Sequence, residues 1–284
     1  MIFRNDIITS RNNPIVKWAS SLSSKKGRDE AGAFIAEGRK LTLEALASGL
    51  PVTHVFIRED KWAEFSEEIK QLSADNELAS CEVILLSEGA FEKISTEKAP
   101  QGIISVIKYL DFFSKLDIIY KEDFLLSPSE KALSLYSLRD PGNLGAVIRS
   151  AAAFGVEHIV LSADSADIYN PKTVRAAMGS LFKIKVTYVS DFASFVDSAR
   201  AVGRAVYAAE LTDNAKALSD IKLSSTDIFI IGNEGHGISK EISEKCSGSV
   251  YIPISDKTES LNASVAAAVL MWEQNVITNK ILLL

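Results

Sequence analysis

The chain has little of what makes covalent or metal chemistry easy to spot: two cysteines and three histidines in 284 residues. Cys81 and Cys246 are far apart and lack metal-ligand spacing, so they read as two reduced thiols. The histidines are too few and too scattered for a histidine-based metal site, and no metal is expected. No apolar run reaches the ~20 residues that span a bilayer. The N-terminus has no charged segment leading into an apolar one, so neither a membrane span nor a signal peptide is expected, and the reading is cytoplasmic. No G-x-x-x-x-G-K-[ST] phosphate loop exists. Gly232-Asn233-Glu234-Gly235-His236-Gly237 has the spacing G-x-x-G-x-G, which fails the dinucleotide fingerprint. Internal repeats and low-complexity tracts are absent as well.

Charge excludes less. A net charge of −6 and a pI of about 5.3 argue weakly against a nucleic-acid binder. Yet residues 1–40 carry Arg4, Arg11, Lys17, Lys25, Lys26, Arg28, Arg39 and Lys40 against Asp6, Asp29, Glu30 and Glu37. A basic arm on an acidic body can meet a phosphate backbone where overall charge does not predict it. The alternative is a solvated helix face.

With 47% hydrophobic residues, 284 residues suffice for two domains. Residues 1–108 alternate short helical and strand patterns: helices over 14–22, 39–47, 61–72 and 88–94, strands at 34–36, 55–57, 83–86 and 103–107. This predicts a small α/β layer domain. Residues 109–130 lose the rhythm and read as a linker. From 131 to 284 the alternation resumes. Strands are expected at 132–138, 158–161, 184–189, 205–209, 228–231 and 250–254, and helices at 144–154, 172–182, 192–202, 239–245 and 263–277. Near-continuous apolar strands separated by helices imply a largely parallel sheet covered on both faces.

Three motifs fall where such strands end in small-residue turns or polar loops. They are Leu138-Arg139-Asp140-Pro141-Gly142-Asn143-Leu144-Gly145-Ala146-Val147-Ile148-Arg149-Ser150-Ala151, Ile230-Ile231-Gly232-Asn233-Glu234-Gly235-His236-Gly237-Ile238, and Ile252-Pro253-Ile254 with Ser260-Leu261-Asn262-Ala263-Ser264-Val265-Ala266. Ligands of open α/β sheets sit outside the carboxyl ends of strands. Three polar turns of this kind suggest one composite site.

Together, in this order, the motifs closely resemble the SpoU/TrmH family of RNA ribose methyltransferases, of the SPOUT class, over roughly residues 131–284. In the N-terminal region, Ile8-Thr9-Ser10-Arg11-Asn12-Asn13-Pro14-Ile15-Val16-Lys17, Phe34-Ile35-Ala36-Glu37-Gly38 and Pro100-Gln101-Gly102-Ile103 resemble that family's RNA-binding domain, related in fold to ribosomal protein L30e. The resemblance implies an α/β chain with an L30e-like domain and a C-terminal parallel-sheet domain tied in a deep trefoil knot. It implies a homodimer that transfers a methyl group from S-adenosylmethionine to a ribose 2′-hydroxyl of RNA, ribosomal RNA being favoured over transfer RNA.

The same resemblance assigns residues. Main-chain groups of Gly232, Ile252 and Leu261 would hold the cofactor, with Leu211 and Ala263 as further wall; Ala263 stands where many family members carry valine. Main-chain recognition fits a site rich in glycine and aliphatics, since glycine lets backbone approach a ligand. Arg149 matches the family's essential arginine. It would hold the RNA phosphate and stabilise a developing alkoxide rather than act as a literal base, because its pKa exceeds about 12. Asn143 and Glu234 would shape the site and position Arg149, and Asn262 and Ser260 would fix the last loop. Plainer readings stand beside these: a surface ion pair for Arg149, a helix cap for Glu234 and an N-cap of the final helix for Asn262. His236 reads as solvent-facing. The alternatives are a knotted RNA-binding protein without catalysis, which the presence of all four polar residues disfavours, and a small-molecule enzyme with the N-terminal domain as a lid.

Overall fold

The chain divides into two units, each built round its own sheet: Met1–Leu110 with Asp167–Phe182, and Asp111–Ala166 with Lys183–Leu284. A computed structural model describes residues 1–75, 80–110, 113–116, 126–127 and 129–279. The apolar end Ile281-Leu282-Leu283-Leu284 and most of the expected 109–130 linker lie outside the described residues. Among the described residues no helix is long and apolar enough to cross a membrane, and no group of three His, Cys, Asp or Glu side chains could hold a metal ion.

The first unit contains β1 (Ile2–Ile8), α1 (Pro14–Ser21), α2 (Lys25–Ala31), β2 (Ala33–Glu37), α3 (Arg39–Ala47), β3 (Val52–Arg58), α4 (Trp62–Asp75), β4 (Glu82–Leu86), α5 (Glu88–Ile94) and β5 (Ile103–Lys108). Its strands lie in the order β1-β4-β3-β5-β2, with β5 antiparallel to both neighbours and the other pairs parallel. Asn13 caps α1, its side chain accepting from the Ile15 amide at 3.0 Å.

The sequence reading lacked β1 and α2, and α2 shows why. Its residues, Lys25 to Ala31, offer no apolar stripe. What buries it is Arg28, 1% exposed. That guanidinium donates to the Leu22 and Ser23 carbonyls at 3.0 and 2.9 Å and to Asp167 at 2.7 Å. Arg28 is therefore a structural anchor, which corrects its place in a solvent-facing basic cluster. The rest of that cluster is largely neutralised inside the unit. Arg4 pairs with Glu82 at 2.6 Å, Lys25 with Asp29 at 2.6 Å, Lys26 with Glu30 at 3.8 Å, and Arg39 with Glu68. Arg11, Lys17 and Lys40 remain exposed, with no ion pair among the described residues.

The second unit contains β6 (Phe113–Leu116), β7 (Ala132–Leu135), α6 (Pro141–Ala153), β8 (His158–Ser162), β9 (Lys185–Val189), α8 (Phe192–Ala201), β10 (Val206–Ala209), β11 (Lys216–Ala217), β12 (Ile228–Ile231), α9 (Lys240–Lys245), β13 (Gly248–Tyr251) and α10 (Ala263–Asn279). Eight strands form one parallel sheet in the order β11-β13-β10-β12-β7-β8-β9-β6. One strand of it, β6, lies in the stretch read as linker. Alternation sends Ile228 and Ile230 to one face, where they join Phe195, Val196 and Ala199 of α8 and Ile242 of α9 in a core. On the other face α10 packs on β12 and on α6. At the amino ends of the strands, buried Arg204 donates to the carbonyls of Ser127, Glu130 and Thr226, and so fixes the chain entering β7. Beside it, burial pushes the His158 imidazole below its ordinary value.

Between β8 and β9 the chain contributes residues 167–182, with α7 (Pro171–Ala177), to the first unit, although they lie within 131–284 in sequence. The helix expected over 172–182 breaks at Met178, whose φ of 53° cannot continue an α-helix, and a short 3₁₀ turn follows. Strand β7 likewise stops at Leu135 rather than 138, because Ser137 is left-handed.

Removing one partner of a buried ion pair strands the other. Arg28→Ala is thus expected to cost about 3 kcal/mol in urea denaturation, while Lys25→Ala stays within about 0.5 kcal/mol. An unchanged midpoint for Arg28→Ala would reject the anchor.

Candidate active site

Four neighbouring strands of the second unit end at one level. Ala209 of β10 pairs with Val250 of β13 and with Ile231 of β12, and Ile231 pairs with Leu135 of β7. One more rung follows on each side: the Glu210 amide donates to the Val250 carbonyl at 3.0 Å, and the Tyr136 amide to the Ile231 carbonyl at 2.8 Å. The three sequence motifs start at this edge. Leu211, Gly232 and Ile252 leave it from adjacent strands. Outside the regular helices and strands, no main-chain hydrogen bond of Leu211, Gly232, Ile252 or Leu261 is formed among the described residues. Leu211 is 78% exposed, Ile252 and Leu261 are half-buried, and Ala263 is buried in the first turn of α10.

The turn after β12 is a closed unit. Asn233 and Gly237 exchange main-chain hydrogen bonds of 3.1 and 2.9 Å, and the Asn233 side-chain oxygen accepts from the Gly235 and His236 amides. A Cβ at Gly232 would lie 2.5 Å from the Gly237 carbonyl carbon, and Gly237 has φ +67°. The turn itself therefore requires these two glycines. His236 is exposed, as expected.

Asn143, in the first turn of α6, joins the motifs. Its Nδ2 donates to Glu234 Oε1 at 2.6 Å, and its Oδ1 accepts from Asn262 Nδ2 at 3.0 Å. Its own amide donates to Asp140 Oδ1 at 2.8 Å, the cap that starts α6. Asn262 is also a cap: its Oδ1 accepts from the Ser264 and Val265 amides of α10 at 2.9 and 3.4 Å. Donor thus follows donor, from Asn262 through Asn143 to the Glu234 carboxylate, where a charged acceptor ends the chain with its strongest bond. Glu234 is not a helix cap. Helix α9 starts six residues later, at Ser239–Lys240, and Glu234 is exposed at the tip of the turn. Such a carboxylate, oriented by an amide and open on its other side, can orient a hydroxyl or a guanidinium.

Arg149 is not part of this network. Six helical residues turn it about 120° round the α6 axis from Asn143. It is exposed and makes no hydrogen bond or ion pair among the described residues. The expectation that Asn143 and Glu234 position it is not met within the chain, and helix geometry is the reason. The Ser260 side chain makes no hydrogen bond among the described residues; its carbonyl accepts from Thr258 Oγ1 at 3.1 Å. Two contributors went unassigned at the sequence level. Asn233 closes the turn and donates through Nδ2 to the Ser137 carbonyl at 2.8 Å; an Asn ahead of glycines is the Asx-turn signal that could have found it. Ser137 adopts φ 56°, which no residue pattern announces.

Asn262 separates its two roles by substitution. Asn262→Ala should lose about 1 kcal/mol, the worth of an N-cap, whereas Asn262→Asp keeps an acceptor for α10 and stays within about 0.5 kcal/mol. Both remove the donor to Asn143. Equal thermal stability of the two variants would show that the cap does not hold α10.

Comparison with known proteins bears on both units. Residues 130–272 match the SpoU rRNA Methylase family, and residues 13–105 match the MRM3-like substrate binding domain. The chain is 33% identical over 265 residues to the 23S rRNA (guanosine(2553)-2′-O)-methyltransferase RlmP of Bacillus subtilis, covering 93% of this chain and 97% of that protein. It is 28% identical over 272 residues to the 23S rRNA (uridine(2479)-2′-O)-methyltransferase of Streptomyces viridochromogenes, covering 94% and 90%. The AdoMet-bound rRNA methyltransferase of Sinorhizobium meliloti superposes with a TM-score of 0.79 at 29% identity, over 95% of this chain and 97% of that one. With its three motifs gathered at one sheet edge and the family match spanning half of its length, this chain belongs to the SpoU methylase family.

Proposed function

We propose that the chain transfers a methyl group from S-adenosylmethionine to a ribose 2′-hydroxyl of RNA, ribosomal RNA rather than transfer RNA. The observation that carries this is the Asn143–Glu234–Asn262 network beside three strand-end segments, at Leu211, Gly232 and Ile252, and the loop at Leu261. That donor set fits an adenosine held by backbone, with Gly232, Ile252 and Leu261 supplying main-chain groups and Leu211 and Ala263 apolar wall. When bound, S-adenosylmethionine supplies the methyl group. Asn143, Glu234 and Asn262 orient the ribose. Arg149 holds the adjoining phosphate and stabilises the charge that grows on the 2′-oxygen as its proton leaves. Relatives named for 23S rRNA favour the ribosomal substrate.

The finer architecture follows the same reading. The first unit is an L30e-like RNA-binding domain, and the protein works in the cytoplasm. The second unit is knotted: β12 lies between β7 and β10, both earlier in the chain, and α10 then returns to α6. The protein is a homodimer, and the apolar side of α10 is its interface. Val265 is 48% and Trp272 55% exposed there, more aromatic and aliphatic surface than a monomer leaves in water without use. Sedimentation at micromolar concentration should give a dimer; a monomer would count against this interface.

The reaction is tested by single-turnover transfer to ribosomal RNA from cells lacking the gene, with the modified ribose mapped in cells with and without it. Arg149→Ala should lower the rate on the order of a hundredfold or more and leave the affinity for S-adenosylhomocysteine within about twofold. Arg149→Lys should not restore the rate, because an ammonium lacks the planar fork that holds two oxygens. Transfer by Arg149→Ala at the wild-type rate would remove this assignment.

A further inference from the structure

Ser137, in the loop after β7, is the one left-handed non-glycine residue among the described residues of the second unit. Such a conformation is unfavourable for a residue with a Cβ and persists only where its surroundings over-determine it. The loop after β8 does this. The Ser137 amide donates to Ser162 Oγ at 2.7 Å, and Ser137 Oγ donates to Asp164. Asp164 also accepts from Ser162 Oγ at 2.7 Å and from Arg139 Nη2 at 3.1 Å. The same loop is braced on both sides: the Ala166 amide donates to the Leu138 carbonyl at 2.8 Å, and Tyr188 of β9 donates its hydroxyl to the Ala166 carbonyl at 2.7 Å. Burial works to raise the Asp164 carboxyl, but the hydroxyls of Ser137 and Ser162 and the Arg139 guanidinium outweigh it and hold it below its ordinary value.

The strained residue faces the site. Its carbonyl accepts from Asn233 Nδ2, and Asn233 closes the turn that presents Glu234 to Asn143. We infer that Asp164 is a positioning residue of the proposed active site: it locks Ser137 in the left-handed conformation, so that the Ser137 carbonyl fixes Asn233 and, through it, Glu234. This rests on the reading of the site given above. Without Asp164, Ser137 relaxes toward an unstrained conformation, its carbonyl swings away, and the Glu234 turn loses its tether to β7.

Two readouts on the full-length protein test it. The first is the Asn233 side-chain amide signal in nitrogen-edited NMR spectra, which does not depend on catalysis. Asp164→Ala should shift it, and Ser137→Gly in the same chain should return it, because glycine takes a φ near +56° without penalty. The second is single-turnover transfer. Asp164→Ala should slow it on the order of tenfold to a hundredfold, the scale of a small misplacement, with S-adenosylhomocysteine affinity within about twofold, and Ser137→Gly should restore most of the rate. If Asp164→Ala does not fold, Asp164→Asn with the same glycine rescue decides. An Asn233 signal left in place by Asp164→Ala, or a loss of rate that glycine does not restore, overturns the inference. A wild-type protein without transfer would instead undo the active-site reading and leave the NMR test standing.

Discussion

One carboxamide holds the site together. Asn143 gives a hydrogen to a residue 91 positions downstream and takes one from a residue 119 positions downstream. Contacts that distant are costly to close and form only when something else has brought the segments near. The parallel sheet does that. Because β13, β10, β12 and β7 run the same way and end at one level, every loop leaving them starts at the same edge. The polar residues need no further search; the aliphatic strands beneath have already paired. Burial of Phe229, Ile230 and Ile231, none more than 4% exposed, thus supports the geometry of three exposed or half-exposed polar side chains.

The residues at this edge serve structure and site with different atoms. The oxygen of Asn262 starts α10 while its nitrogen reaches Asn143. Asp140 starts α6 by binding the amide of Asn143, and this fixes where Asn143 points. Gly232 and Gly237 make a turn narrow enough for Asn233 to close. A choice between a cap and a functional residue is therefore empty at these positions. A cap has a fixed rotamer, which is what an oriented donor needs, so one requirement meets the other.

This explains what could be read without coordinates. Strands such as Ile228–Ile231 are continuous apolar runs, and a polar motif follows directly, so the sheet and the composite edge were legible. Features set by a single distant partner were not. Helix α2 has no apolar face and is held by Arg28 reaching Asp167, 139 positions away. Residues 172–182 read as one helix of the second sheet, but Met178 breaks it, and residues 167–182 belong to the first unit. The left-handed Ser137 is held by Ser162 and Asp164, at and just beyond the end of another strand. In each case the local sequence permits several outcomes, and a tertiary hydrogen bond selects one.

Charge shows the same limit. Eight bases in the first forty residues look like a phosphate-binding arm, yet one is buried and four face carboxylates. The cations left open in that region are Arg11, Lys17 and Lys40, each on a different element or turn. In the second unit the contrast runs the other way. Arg149 projects from α6 away from the side that carries Asn143, and meets no anion among the described residues. A guanidinium is weakly hydrated for a cation and its fork matches two oxygens of a phosphate. Helix α6 thus carries an oriented amide on one side and an uncommitted fork on another, about 120° apart.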